Sequence, residues 1–466
     1  MRVVLYNPPS PEQRGTPLGP HALAEHLGLG CLAAHLRARG DTVLILDADA
    51  LKIPDADALG RIFDFGPEAM GVTLTGLSLW RVPGFLRRVR ERLPGLEVTV
   101  GGHHATVATP EVAATGIGRV IVGEPDRKGP EDPGPLPERD TLEAMVRHSV
   151  TPHTALLISS RGCLFDCPFC PVPAYSRRCG RSRVEWPLPA VLNQGRDLAS
   201  VGVRRVHLAD DDALGCGAPG GPERCQELVA RLVHTGLRVA FKACHPGTNE
   251  LRALEGLARH LARRRWTHMV QVFLGLEGMA WGLGAPAKAL PPQALAATLG
   301  RLSSLGIDVE PSVLLLSPWT TRRSALRALR FLLRHGICSS DAVLERAVPL
   351  PGTCVPTEAP APELLEALAA LHPALTELAH LERQAAWAEA LTETLGTRPR
   401  DAAMLRRIAR RTRVCAGMRA GQLAVAALSG RQPENLWRPT AALAAGLRGA
   451  TYRFLSRADR ALHQRE

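Results

Sequence analysis

The stretch Cys163-Leu164-Phe165-Asp166-Cys167-Pro168-Phe169-Cys170 decides the reading of this 466-residue chain. Cysteine thiolates hold iron–sulfur clusters, because soft sulfur donors select that chemistry. Three cysteines spaced CxxxCxxC can ligate three irons of a [4Fe–4S] cluster and leave the fourth open to a second molecule. A structural zinc site calls for four ligands, commonly in two pairs. The chain has no second CxxC pair. A disulfide framework does not suit 11 cysteines in 466 residues. Just upstream, the apolar run Ala155-Leu156-Leu157-Ile158-Ser159-Ser160 reads as a strand, and Arg161-Gly162 turns the chain into the cysteine loop.

This motif, with an aromatic before the third cysteine and a strand before the loop, resembles that of the radical S-adenosylmethionine (SAM) superfamily. The resemblance implies that Cys163, Cys167 and Cys170 are the metal ligands. It also implies that the open iron chelates the amino and carboxylate groups of SAM and delivers the electron that breaks its sulfonium bond.

Upstream, five short apolar strands alternate with helical segments over residues 1–126. They are Val3-Val4-Leu5-Tyr6, Val43-Leu44-Ile45-Leu46-Asp47, Gly71-Val72-Thr73-Leu74-Thr75, Val98-Thr99-Val100-Gly101-Gly102 and Val120-Ile121-Val122-Gly123-Glu124. Such alternation predicts a doubly wound parallel sheet, whose ligands bind at the carboxyl ends of the strands. Those ends carry Asn7-Pro8-Pro9, Thr75, Gly101-Gly102-His103-His104 and Gly123-Glu124, and glycine there lets the backbone approach a flat ligand. In this order the pieces resemble the cobalamin-binding domain that precedes many radical SAM domains. The resemblance implies that Asn7, Pro8, Thr75, Gly101, Gly102, His103, Gly123 and Glu124 contact cobalamin. The chain departs from relatives at two places. It lacks the Asp-x-His-x-x-Gly loop of another corrinoid class, so no histidine of that motif reaches cobalt. The segment from Pro125 to Arg139 is a short Pro-rich linker where relatives continue with a helix and a strand.

From residue 150 strands and helices alternate again, with strands expected at 155–160, 204–209, 238–242, 269–275, 309–316 and 342–348. Six units fit a partial barrel better than a full eight, with the site at the carboxyl ends of the strands. Asp210-Asp211-Asp212 follows the second strand, where a carboxylate suits the SAM ammonium. Three acids in a row also suit a helix N-terminus. Gly275-Leu276-Glu277 resembles the superfamily's G-(I/L)-E, which implies that Glu277 binds the ribose hydroxyls; Gly278 stands where relatives commonly carry Ser. Ser317-Pro318-Trp319-Thr320-Thr321 resembles a turn of some cobalamin-dependent members and places Ser317 and Pro318 near adenine. Cys244, just past the third strand, faces the same mouth and is the candidate catalytic donor of a proton or hydrogen atom. The other cysteines read as buried thiols.

The expected organisation is therefore α/β. A doubly wound, Rossmann-like cobalamin-binding domain (1–126) and a linker (127–149) precede a partial (β/α)6 TIM-like barrel (150–357) and a helical appendage (358–466). The appendage is expected to cap the barrel mouth or complete a substrate channel. From Arg398 to Glu466 it has fifteen Arg against four acidic residues, a local excess of +11 in a chain of net +12. Such a tail suits an anionic partner or a solvated helix face, and without aromatic interleaving nucleic acid is not expected. No apolar run approaches the ~18–20 residues of a membrane span. The expected setting is cytoplasmic, where thiols stay reduced.

The resemblance implies an enzyme using a [4Fe–4S] cluster, SAM and cobalamin, foremost a methyltransferase acting on an unactivated carbon of a small-molecule or peptide natural product. A reducing partner such as flavodoxin or ferredoxin is implied with it. The alternatives are a radical rearrangement, cyclisation or oxidation without methyl transfer, an RNA-modifying radical SAM enzyme, and a non-catalytic corrinoid or cluster sensor.

Overall fold

Val3 and Leu5 pack on one face of the first sheet with Leu29, Ala33 and Ile45, while Val4 and Tyr6 pack on the other with Ile62, Phe85 and Leu86. A strand buried on both faces belongs in a parallel sheet with helices on either side. The computed structural model describes residues 1–9, 25–76, 78–129, 131–148, 154–181, 183–244, 247–280, 292–344, 350–356, 362–369, 371–394, 399–430 and 439–463. Its first sheet contains β1 (Arg2–Asn7), β2 (Thr42–Asp47), β3 (Ala69–Thr73), β4 (Glu97–Gly101) and β5 (Arg119–Val120), all parallel, in the order β2-β1-β3-β4-β5. The direction of winding reverses between β1 and β3. A crevice opens at that switch point, beyond the carboxyl ends of the two strands.

The second sheet is formed by β6 (Thr154–Leu157), β9 (Arg205–Leu208), β10 (Arg238–Ala243), β11 (Val270–Gly275) and β12 (Asp308–Ser312), parallel and in chain order. A short antiparallel ribbon, β7 (Ser160–Arg161) with β8 (Val184–Glu185), brackets the cysteine loop. Helices Leu188–Ser200, Gly221–His234, Thr248–Arg263 and Pro292–Ser304 make the crossovers, and Arg322–His335 follows β12. His207 and Phe273 come from strands separated by β10, yet their rings approach to 5.2 Å. Such an approach across a strand marks that face as concave.

Five of the six expected barrel strands are present. Of the sixth, Ala342, Val343 and Leu344 lie in the helix Ser340–Leu344, and 345–348 fall outside the described residues. A helix from the C-terminal region takes up the open edge after β12. In the helix Pro399–Leu428, Arg413 bonds Asp308 at the start of β12 (2.5 Å), while the Leu428 carbonyl accepts from Arg322 Nε beyond its end (2.5 Å). This helix and His372–Thr394 also line a cavity of about 500 Å³ whose sheet-side wall is formed by Arg205, Arg238, Gln271 and Glu310. These residues lie towards the amino-terminal ends of the strands, so this part of the helical appendage packs opposite the mouth that it is expected to cap. Among the described residues no helix is long and apolar enough to cross a membrane.

The Pro-rich linker is packed against both sheets. Asp126 pairs with Arg161 (3.2 Å), the Gly134 carbonyl accepts from Trp186 Nε1 (2.9 Å), and the Glu138 amide donates to Gly30 (3.1 Å). Arg37 of the first domain pairs with Asp140 of the helix Asp140–His148 (2.6 Å). The connection, which carries the short helix Asp140–His148, is therefore held in place by long-range bonds.

Candidate functional site

The cysteine loop leaves β7 at Arg161 and enters the helix Val172–Arg178 directly after Cys170. Cys163, Cys167 and Cys170 are all partly exposed, and a turn bond joins the Cys170 amide to the Cys167 carbonyl (3.0 Å). Burial pushes the Cys163 thiol up to about 12 and the Cys170 thiol up to about 11. Each of the two lies within electrostatic reach of Cys167, Cys163 also of Cys170 and Asp212, and Cys170 also of Asp211 and Glu277. Among the described residues no three His, Cys, Asp or Glu side chains stand at single-ion distances. A cubane cluster spaces its thiolates more widely than one ion does, so three soft donors on one loop fit it.

The three consecutive aspartates have three different roles. Asp210 is fully buried and accepts from the Ser159 amide (2.8 Å), the Ser159 hydroxyl (2.5 Å) and the Ser160 hydroxyl (2.6 Å). Burial raises its carboxyl above the usual range, and those donors pull it back. Asp212 is also buried and ties the chain together, accepting from the amides of Cys216 (2.6 Å) and Cys244 (3.1 Å). Asp211 accepts from the Gly162 amide (2.7 Å). Of the three, Asp211 alone is partly exposed, while its buried neighbours anchor the loop. Glu277 opens a short 3-10 turn past β11, buried. Ser317 is buried and shares a 2.8 Å hydroxyl contact with Thr320, which fixes the turn around Pro318. Thr321 then caps the helix Arg322–His335. The Cys244 thiol donates to the Asp211 carbonyl (3.0 Å), so it sits at the same mouth.

At the first sheet, Asn7 bonds Asp47 (2.8 Å) and Pro8 is buried, so the end of β1 is rigid. Thr75 and Gly76, past β3, are exposed, and Trp80 beyond them is 68% exposed. Gly102 has φ +92°, and a Cβ there would lie 2.6 Å from Thr73 Oγ1, so only glycine fits without strain. The Gly123 amide donates to Thr106 Oγ1 (3.0 Å). The Glu124 carboxylate is engaged by Arg127 (2.8 Å), Arg181 (2.9 Å) and Arg161 (3.6 Å), and the guanidinium of Arg181 leads the charges that hold it below its ordinary range. It locks the first domain onto the segment that follows the cysteine loop.

The histidines differ in what they offer. His104 is buried with Nε2 3.6 Å from Glu111. His26 did not stand out in the sequence, yet it sits at the switch point. Its Nδ1 accepts from the Leu29 amide (3.1 Å), its Nε2 lies 3.3 Å from Thr73 Oγ1, and burial lowers its proton affinity. Both of its nitrogens are used, so it fits a helix cap and not a metal ligand. His103 stacks on Tyr175 of the helix after Cys170 (4.9 Å, 13°), and its buried Nε2 has no hydrogen-bond partner. Thus the glycine-lined crevice and the cysteine loop meet at one junction.

Residues 22–128 match the B12 binding domain family. Over 98% of its length the chain superposes on two solved structures of the cobalamin-dependent S-adenosylmethionine radical enzyme OxsB, one with aqua-cobalamin and one with aqua-cobalamin and S-adenosylmethionine. Each is 12% identical with a TM-score of 0.60, and 84% and 83% of those chains are covered. The apo form gives 13% and 0.57, with 84% covered. The chain shares the fold of OxsB over nearly its whole length. No curated protein matches the chain. The comparison bears on both halves of the architecture, the B12-binding domain and the barrel joined to it.

Proposed function

We propose that this protein is an enzyme that binds a [4Fe–4S] cluster, SAM and cobalamin and methylates an unactivated carbon of a small-molecule or peptide natural product. The carrying observation is the junction where His103 of the B12-binding domain stacks on Tyr175, in the helix after the cysteine loop, while Asp211 past β9 holds Gly162 at the start of that loop. When bound, the cofactors supply reductive cleavage of SAM and a transferable methyl group, and the protein positions and shields them. Cys163, Cys167 and Cys170 would hold the cluster. Asp211 would face the SAM ammonium, where a charge-assisted hydrogen bond is strong. Glu277, at the end of β11, would accept from the ribose diol, and the Ser317–Pro318 turn would border the adenine. Gly101, Gly102, Thr75 and Pro8 would line the corrin crevice, with Gly102 leaving room for its edge. Cys244, pinned to Asp211, stands where a proton or hydrogen atom could be delivered. A flavodoxin- or ferredoxin-like protein would supply electrons.

Product analysis tests this reading. Anaerobic turnover with SAM, a low-potential reductant and methylcobalamin should yield 5′-deoxyadenosine and, with a competent substrate, S-adenosylhomocysteine in addition. 5′-Deoxyadenosine without S-adenosylhomocysteine on a consumed substrate would replace methyl transfer by rearrangement, cyclisation or oxidation. No 5′-deoxyadenosine from the wild type, or equal amounts from Cys167→Ala, would overturn the enzyme assignment.

A further inference from the structure

We infer that His103 is a positioning residue that couples occupancy of the corrin crevice to occupancy of the SAM site. The inference rests on the proposed function, since it needs both ligands. His103 follows Gly102 at the end of β4, so its backbone belongs to the B12-binding domain. Its ring belongs to the cysteine loop. It stacks on Tyr175 at 4.9 Å and 13°, in the helix that begins just after Cys170. Its buried Nε2 has no hydrogen-bond partner. Asp211, which acts electrostatically on this ring, holds the Gly162 amide at the start of the cysteine loop (2.7 Å).

The first domain holds the helix Val172–Arg178 at two places. His103 stacks on its Tyr175, and Glu124 holds Arg181 just beyond its end through two bonds of 2.9 and 3.0 Å. Arg181 in turn lies 5.7 Å from the Tyr175 ring. A ligand that fills the crevice and orders the His103 ring therefore orders Tyr175 and the helix that follows Cys170. Linkage is reciprocal: whatever factor the corrin contributes to SAM binding, SAM contributes to corrin binding.

The experiment titrates hydroxocobalamin by absorbance into protein carrying the oxidised cluster, with and without saturating SAM. Oxidised protein does not turn over, so the readout is affinity alone. In the wild type SAM is expected to tighten corrin binding by about 5-fold or more, the lower end of common allosteric couplings. In His103→Ala the ratio should fall to about 1, with cluster absorbance retained and both ligands still binding. Tyr175→Ala, which removes the stack from the other side, should lower the ratio in the same way. Equal corrin affinities with and without SAM in the wild type would overturn the inference while leaving the proposed function intact. So would an undiminished ratio in both variants. A wild-type protein that binds no corrin would overturn the proposed function, and this inference with it.

Discussion

Asp210 is the residue whose replacement most directly tests how the cysteine loop is held. Its carboxylate accepts three bonds, from the Ser159 amide and from the Ser159 and Ser160 hydroxyls, in a site with no solvent exposure. Asp210→Ala removes all three and leaves a buried amide unpaired. At about 1 kcal/mol net per bond the loss is about 3 kcal/mol. Asp210→Asn keeps an acceptor for the amide, and the hydroxyls can rotate to accept from its NH2, so about 1 kcal/mol is expected. The loss falls on the segment between β6 and the first cysteine, so it should appear as local opening. Amide hydrogen exchange of peptides covering 156–163 reads that opening, with β2 as the internal reference. About 100-fold faster exchange in Asp210→Ala and about 5-fold in Asp210→Asn correspond to those energies. Exchange in Asp210→Ala within about threefold of wild type would refute the anchoring role.

Other substitutions separate the two ligand sites and the basal joint. Glu277→Ala should weaken SAM binding to the oxidised, cluster-loaded protein by ~1–3 kcal/mol, as lost hydrogen bonds to a charged group do. An unchanged calorimetric affinity would remove Glu277 from the site. Gly102→Ala must hold an L side chain at φ +92° with its Cβ 2.6 Å from Thr73 Oγ1. A cost of about 1–3 kcal/mol is expected, seen as corrin lost on desalting while cluster absorbance persists; full corrin retention would contradict it. Glu310, between Arg413 and the acids Asp308, Asp341 and Glu382, has its carboxyl raised by burial to about 7. A raised folded-state value contributes stability below the unfolded value of about 4.3 that is lost as pH rises through the folded one. Glu310→Gln should therefore gain on wild type between about pH 4.5 and pH 7 and stay ahead above it. The side chain is 26% exposed, so the gain is on the order of 1–2 kcal/mol. Thermal midpoints whose difference does not change between pH 5 and pH 8 would count against it.

The backbone plan was legible because it rests on local periodicity. Alternating apolar runs located β1 to β4, and the CxxxCxxC loop announced its own position after a strand. The partition of labour within Asp210-Asp211-Asp212 was not legible. Three identical side chains in a row differ only in direction, and direction here is set by Ser159, Gly162 and Cys244, from other loops. Glu124 lies beyond the short β5, which stops at Val120 rather than running on to it, and its carboxylate is engaged by guanidiniums up to 57 residues away, which no local pattern encodes. The segment 342–348 reads as a strand because it carries apolar residues on both sides of Glu345-Arg346, yet Ser340–Leu344 is helical. Packing against the long C-terminal helix outweighs that short preference. His26 went unnoticed because a lone imidazole before a glycine-rich helix carries no spacing signal. Its role depends on Asp47 and Thr73, brought to it by the sheet order.

The central claim is that one chain holds both a cluster and a corrin. It is tested most directly by anaerobic reconstitution with iron, sulfide and hydroxocobalamin, followed by desalting and an absorbance spectrum. The account predicts cluster absorbance together with corrin bands at one corrin per chain. Cluster absorbance with no retained corrin would contradict it, and would leave the crevice at the β1–β3 switch point without its ligand.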